Sequence, residues 1–332
     1  MIQDSTVKTS SDSNRTLAPT IHSARHLNDD SSVRPQDVIS GGLVVPNGIT
    51  LLHGKAKAGK TFLAMQMGLQ IASATSWLGN AIPERKKVLY VQAELPYFPM
   101  RDRIKAMLLQ YEGASVFDNF LMSEPMKVNI CEGKEYEHLC EIITQSKAEV
   151  IIIDPLVYFH NRDENSNDAM GLVMSRFRDL VNDTNTSLIL VHHDGKGKDL
   201  NGGESSRGAS AIFGAVDSDI KLNPLPQKGE GVKYQKMECN LRHAASPNPK
   251  RLYFIEETLS FSTDHETNDV SKLKMLITKH PAVSKSEFIE LVMDSLECGK
   301  SKAYGLIKVA TDNRSITVSP EGFVSIPDSA FC

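Results

Sequence analysis

The octapeptide Gly54-Lys55-Ala56-Lys57-Ala58-Gly59-Lys60-Thr61 constrains this chain more than any other segment. It meets the GxxxxGK[ST] spacing in full. An apolar run, Ile49–His53, precedes it. After it, Phe62, Met65, Leu69 and Ala72 fall on one helical face. A backbone can wrap closely around phosphate oxygens only where no side chain intrudes, which accounts for Gly54 and Gly59. The loop N–H groups and the start of the following helix form a preorganised anion site. Lys60 is suited to neutralise the β- and γ-phosphates, and the Thr61 hydroxyl to ligate Mg²⁺. The predicted cradle spans Gly54, Lys55, Ala56, Lys57, Ala58, Gly59, Lys60, Thr61 and Phe62. Lys55 and Lys57 read equally well as solvated surface charge.

From Gly41 onward, strand-like runs alternate with amphipathic stretches: strands at Val88–Val91, Val150–Ile153 and Ser187–Val191, helices at Arg101–Gln110 and Met170–Val181. Such alternation predicts an α/β fold with a mainly parallel sheet covered on both faces. The later runs Ser218–Leu222, Val232–Leu241 and Arg251–Glu256 show no helix between them and read as antiparallel additions at one edge.

A phosphate loop needs a carboxylate for the metal. Asp154 ends the run Val150–Ile153, where a buried strand would deliver it beside the loop. Glu94 ends another strand, in Gln92-Ala93-Glu94-Leu95-Pro96, and points toward the crevice at the carboxyl ends of the strands. It is the predicted base that polarises water. His192 and His193 end the strand Ser187–Val191. Adjacent strand residues face opposite ways, so one of them, His193 by preference, senses the phosphate.

The polar segment 1–38 lacks periodicity and predicts a disordered arm. The ATPase-type core is expected over 39–261, a linker over 262–270 and a second unit over 271–332. In that unit, helices are expected at Ser271–Lys279, Ser284–Glu297 and Ser301–Thr311, and short strands at Ile316–Val318 and Phe323–Ile326. Ser284 and Glu287 have capping-box spacing. Three helices and a hairpin predict a winged helix-turn-helix, with Lys300, Lys302 and Lys308 on or beside its DNA-facing helix.

Composition narrows the options. Lys+Arg number 37 against 41 Asp+Glu, a net charge of -4, so any nucleic-acid site is a local patch. Five scattered cysteines without a CxxC pair argue against a disulfide framework or structural zinc. No apolar run approaches the roughly 18 residues that span a bilayer, and no signal-type segment opens the chain, so a cytoplasmic protein with no membrane partner is expected.

Taken in order, His53–Thr61, Gln92–Pro96, Ile151–Asp154, the stretch His192-His193-Asp194-Gly195-Lys196-Gly197 and the stretch Ser206-Arg207-Gly208-Ala209-Ser210 resemble the RecA-like, plasmid RepA-type hexameric helicase family over residues 40–257. The phosphate loop is shared by many ATPases; the other stretches in this order are far more specific. The resemblance implies a RecA-like core assembled as a ring, a hexamer in that family, with ATP and Mg²⁺ between subunits and single-stranded DNA in the channel. It implies Glu94 as catalytic glutamate, Asp154 on the metal side, His193 as sensor and Arg207 as a finger reaching a neighbour's ATP. The basic, glycine-rich loop Asp194–Ser206, with Lys196 and Lys198, suits a phosphate backbone. Relatives carry a basic pair on a late strand; here Cys239-Asn240-Leu241-Arg242 supplies only Arg242.

The leading expectation is an ATP-hydrolysing motor of plasmid, phage or mobile-element replication. The alternative is a non-motor DNA-binding ATPase acting as an initiator or switch. A metabolic kinase is the weakest reading, because nothing resembles an acceptor pocket.

Overall fold

The computed structural model describes residues 21–111, 115–194, 207–226, 234–263, 265–281, 283–312, 316–319 and 322–326. The chain divides into two compact units, Met1–Pro35 and Gln36–Cys332. In the first, α1 (Ala24–Asp29) is a short helix whose cap residue Ser23 accepts a hydrogen bond from the His26 N–H at 3.1 Å. The second unit begins before the expected end of the arm. Val38 and Ile39 are buried, and their N–H groups reach the Val44 carbonyl. Two apolar residues suffice to draw this part of a polar segment into the core.

In the second unit, β1 (Ile49–Gly54) runs into the phosphate loop and α2 (Lys60–Ser73). There follow β2 (Val88–Gln92), α3 (Tyr97–Leu108), α4 (Ser115–Asn119), β3 (Phe120–Met122) and α5 (Gly133–Ser146). Next come β4 (Val150–Asp154), α6 (Asn167–Thr184), β5 (Ser187–His193), α7 (Arg207–Ala215) and β6 (Ser218–Pro224). An edge ribbon of β7 (Tyr234–Leu241), β8 (Lys250–Ile255) and β9 (Ser260–Ser262) completes the sheet. Strand order is β3-β2-β4-β5-β1-β6-β7-β8-β9. The strands β1 to β6 pair in parallel, whereas β7, β8 and β9 pair antiparallel.

β6 therefore departs from expectation, being parallel to β1 rather than an antiparallel addition. The reason is α7, a helix rich in small residues, which carries the chain from the end of β5 back to the start of β6. Every residue of β1, β2 and β4 is buried, as strands covered on both faces must be. Leu52, Tyr90, Ile152 and Val191 pack toward α2 on one face. Leu51, Val91, Ile153 and Leu190 pack toward α5, α6 and α7 on the other.

The polar segment read as a linker is mostly helix. β9 ends at Ser262, and α8 (His265–Lys279) starts six residues before the expected Ser271. Once nucleated, a helix gains one backbone hydrogen bond for each residue added, so it can propagate back through a polar stretch. α9 (Lys285–Ser295) and α10 (Lys300–Asp312) follow, then β10 (Thr317–Val318) paired antiparallel with β11 (Val324–Ser325). The capping box forms: Ser284 caps the Glu287 N–H, and Glu287 returns to the Ser284 N–H. Leu273, Phe288, Val292, Ala303 and Ile307 share a small separate core. Among the described residues, no helix is long and apolar enough to cross a membrane.

Candidate active site

The phosphate loop leaves the carboxyl end of β1 in a conformation that demands glycine at two points. Gly54 has φ 149° and Gly59 φ 91°. A Cβ on Gly54 would collide with the Leu222 carbonyl oxygen; one on Gly59 would lie 2.6 Å from Phe261 Cζ. Lys60 is buried and curls back on the loop, its Nζ donating to the carbonyls of Gly54 at 2.7 Å and Lys55 at 2.9 Å. Burial pulls its ammonium down to about 8, against the opposing pull of Asp194 and Asp154. A buried ammonium satisfied only by carbonyl oxygens gains strongly from an arriving anion. Lys55, Ala56 and Lys57 lie exposed along the loop, Ala58 is buried, and Thr61 and Phe62 are half-buried.

The cleft above the loop holds about 360 Å³ and gathers side chains from four elements: Lys60 and Thr61 from α2, Tyr90 from β2, Asp154 from β4 and His193 from β5. Glu94 joins them from the turn after β2. Asp154 is buried, and the Tyr90 hydroxyl donates to its Oδ2 at 2.5 Å. Burial pushes the Asp154 carboxyl up, while hydrogen bonds from Tyr90 and Thr61 hold it down. The Thr61 hydroxyl and the Asp154 carboxylate are the hard oxygen donors that suit Mg²⁺.

Glu94 is placed by Gln92. The Gln92 Oε1 accepts the N–H groups of Glu94 at 3.0 Å and Leu95 at 2.7 Å, and its Nε2 donates to the Leu95 and Ser123 carbonyls. Four bonds from one buried amide fix the turn, and the Glu94 carboxylate stands exposed at the mouth of the cleft. The two histidines diverge. His193 lines the cleft, and its imidazole is pushed down by burial and then by Lys60. His192 lies on the other face of the sheet, its Nδ1 4.0 Å from Glu164 Oε1, and burial pulls it down to about 4.

Two features escaped the sequence reading. His53 on β1 pairs through Nδ1 with Asp194 Oδ1 at 2.8 Å, which pins the first residue of the basic loop to the strand that carries the phosphate loop. Arg103 of α3 lines the cleft with its guanidinium 4.4 Å from the Phe62 ring centroid. The helical spacing from Met100, also on α3 and buried, was the available signal for that inward face.

Of the remaining candidates, Arg242 and the lysines of α10 do not line this cleft. Arg207 is the first residue of α7. Lys196 and Lys198, with the rest of 195–206, lie outside the described residues. Arg242 follows β7 at the opposite edge of the parallel strands, its Nη2 donating to the Gly214 carbonyl at 2.6 Å. Lys300, Lys302 and Lys308 are exposed along α10, opposite the buried Ala303, Ile307 and Ala310.

Among solved structures, one described as an ATPase domain is similar to this chain with a TM-score of 0.48 and 10% identity, across 66% of this chain and 85% of that one. Residues 15–199 match the AAA_25 family model, described as an AAA domain, which covers more than half of the 332 residues. With a complete phosphate loop at the carboxyl edge of a mainly parallel sheet, the chain is a P-loop ATPase and belongs to the AAA_25 family of AAA domains.

Proposed function

We propose that this protein is an ATP-hydrolysing, DNA-binding motor of plasmid, phage or mobile-element replication, a ring-forming helicase of RepA type. The observation that carries the reading is the convergence of Lys60, Thr61, Glu94, Asp154 and His193 on one cleft. Membership of the AAA_25 family supports the nucleotide part of it.

In this reading, the loop N–H groups and Lys60 bind the β- and γ-phosphates. Thr61 and Asp154 hold Mg²⁺, which when bound supplies charge neutralisation on the phosphate oxygens. Glu94 orients a water at the mouth of the cleft and accepts its proton. His193 sits between the cleft and Asp194, the root of the basic loop, so loss of the terminal phosphate is relayed to Lys196 and Lys198 on the single strand. Arg207 of one subunit completes the charge on the neighbour's nucleotide. Arg242, remote from its own cleft, acts across the same interface or not at all.

The C-terminal unit, residues 265–326, is assigned as a winged helix that meets duplex DNA with the exposed lysines of α10. ATPase rate with and without single-stranded DNA, followed by a strand-displacement assay, tests the whole. DNA-stimulated turnover with displacement supports the motor; stimulated turnover without displacement selects the non-motor switch. Turnover indifferent to DNA overturns both.

A further inference from the structure

We propose that Tyr90 is a positioning residue for the metal site, its buried hydroxyl holding the Asp154 carboxylate in the orientation that serves Mg²⁺ beside Thr61. The inference rests on the nucleotide reading of the cleft and deepens it.

β2 reads Val88-Leu89-Tyr90-Val91-Gln92, which sets a phenol in the middle of an apolar run. In the sheet, Tyr90 stands opposite Ile152 of β4, and Gln92 opposite Asp154. Residues two apart on a strand share a face, so Tyr90, Gln92, Ile152 and Asp154 all lie on one side of the sheet. Tyr90 is fully buried there among the residues that pack toward α2, its ring centroid 6.1 Å from that of Phe120. From this place the hydroxyl reaches forward to the end of the neighbouring strand and donates to Asp154 Oδ2 at 2.5 Å.

A buried phenol needs an acceptor, and here the acceptor is the carboxylate in the metal position, itself buried. A buried carboxylate in turn needs donors. Asp154 has two hydroxyl partners, Tyr90 and Thr61, and they are not equivalent. Thr61 is a metal ligand in this reading, and its lone pair turns to the cation when the site is filled. Tyr90 walls the cleft but exposes none of its surface, so its hydroxyl meets neither nucleotide nor solvent and acts only through Asp154. It is the partner that stays. An oxygen already accepting from a phenol is the poorer donor to a cation, which leaves Oδ1 as the oxygen presented to the metal side. Outer partners of this kind typically carry ~10–100-fold in metal affinity.

The test is binding of Mn²⁺, a spectroscopic substitute for Mg²⁺, to the full chain loaded with a non-hydrolysable ATP analogue. Binding of the analogue in EDTA is measured beside it. The proteins are wild type, Tyr90→Phe, Asp154→Asn and the double variant. Tyr90→Phe removes one oxygen and keeps the ring. The expected result is a ~10–100-fold loss of Mn²⁺ affinity in Tyr90→Phe, with analogue affinity in EDTA within about twofold of wild type. Asp154→Asn should also lose metal, and adding Tyr90→Phe to it should cost less than about twofold more, because the hydroxyl acts through the carboxylate. Unchanged Mn²⁺ affinity in Tyr90→Phe, equal losses with and without metal, or losses that simply add in the double variant would each overturn the proposal and leave Tyr90 as packing under α2. If Tyr90→Phe does not fold, a ring-fluorinated tyrosine at position 90 keeps the hydroxyl. Its fluorine NMR signal must then shift when Mg²⁺ is added to the analogue complex, and a signal indifferent to the metal overturns the proposal as well. Wild-type protein that binds the analogue without any gain from metal would defeat the Thr61–Asp154 site itself, and the proposal with it. Failure to bind the analogue at all would instead defeat the underlying nucleotide reading.

Discussion

The side-chain amide of Gln66 holds both backbone groups of Phe261: its Oε1 accepts the Phe261 N–H at 2.8 Å, and its Nε2 donates to the Phe261 carbonyl at 2.9 Å. This buried pair joins the helix after the phosphate loop to the last edge strand, β9. The Phe261 ring then lies against Gly59. The edge ribbon is in this way part of the scaffold of the nucleotide cleft, and α8 begins shortly after β9 ends.

Gln66→Leu should therefore destabilise the protein by about 2–4 kcal/mol, since it strands two buried backbone groups at once. Urea unfolding of the two proteins measures it. A change below about 0.5 kcal/mol would mean that β9 is not anchored through this amide.

Lys60 links nucleotide binding to pH. Its folded value of about 8 lies below the ordinary 10.5. Between those values the unfolded chain holds the extra proton, so this group's contribution to stability rises with pH there and is least favourable below 8. A bound triphosphate favours the ammonium, so binding above pH 8 must take up a proton. Calorimetry at about pH 9 in two buffers of different ionisation enthalpy should show that uptake, with affinity falling by up to ~tenfold per pH unit above 8. Lys60→Ala should bind weakly and show neither effect. Wild-type binding without proton uptake would remove Lys60 from the phosphate site.

Glu94→Gln should keep ATP affinity and lose roughly 10²-fold or more in turnover, the usual scale for loss of a general base. A fall of less than about tenfold would shift attention to Asp163 and Glu164. The geometry disfavours both: Asp163 caps the Asn165 N–H at 2.9 Å, and Glu164 faces His160 and His192 on the other side of the sheet.

The cleft was legible in sequence because its parts sit at the ends of strongly apolar strands. Asp154 and Glu94 each follow a run that can only be a buried parallel strand, and the strand period alone separates His192 from His193. What stayed hidden depends on contacts between distant segments. Nothing local in Gln66 or Phe261 announces a pairing across 195 positions. Arg103 belongs to a helix whose polar residues mask its inward face. β6 looked like an edge addition because α7 is only nine residues long and mostly Gly, Ala and Ser, with Ile212 and Phe213 its only large apolar residues. Residues 262–270 looked like a linker because polar composition distinguishes poorly between a loop and the first turns of a helix.

Arg207 is the first residue of α7, and the proposed reading has it serve a neighbouring subunit. If it acts in trans, Arg207→Ala and Lys60→Ala should each be nearly inactive alone, the finger's loss reaching roughly 10³-fold. Mixed, they should recover part of the activity. A subunit with an intact phosphate loop can then meet a neighbour that still carries its arginine. The recovered rate must rise with total protein concentration, because such a site exists only where two subunits join. Turnover that is independent of concentration, with no recovery on mixing, would sink both the finger assignment and the ring.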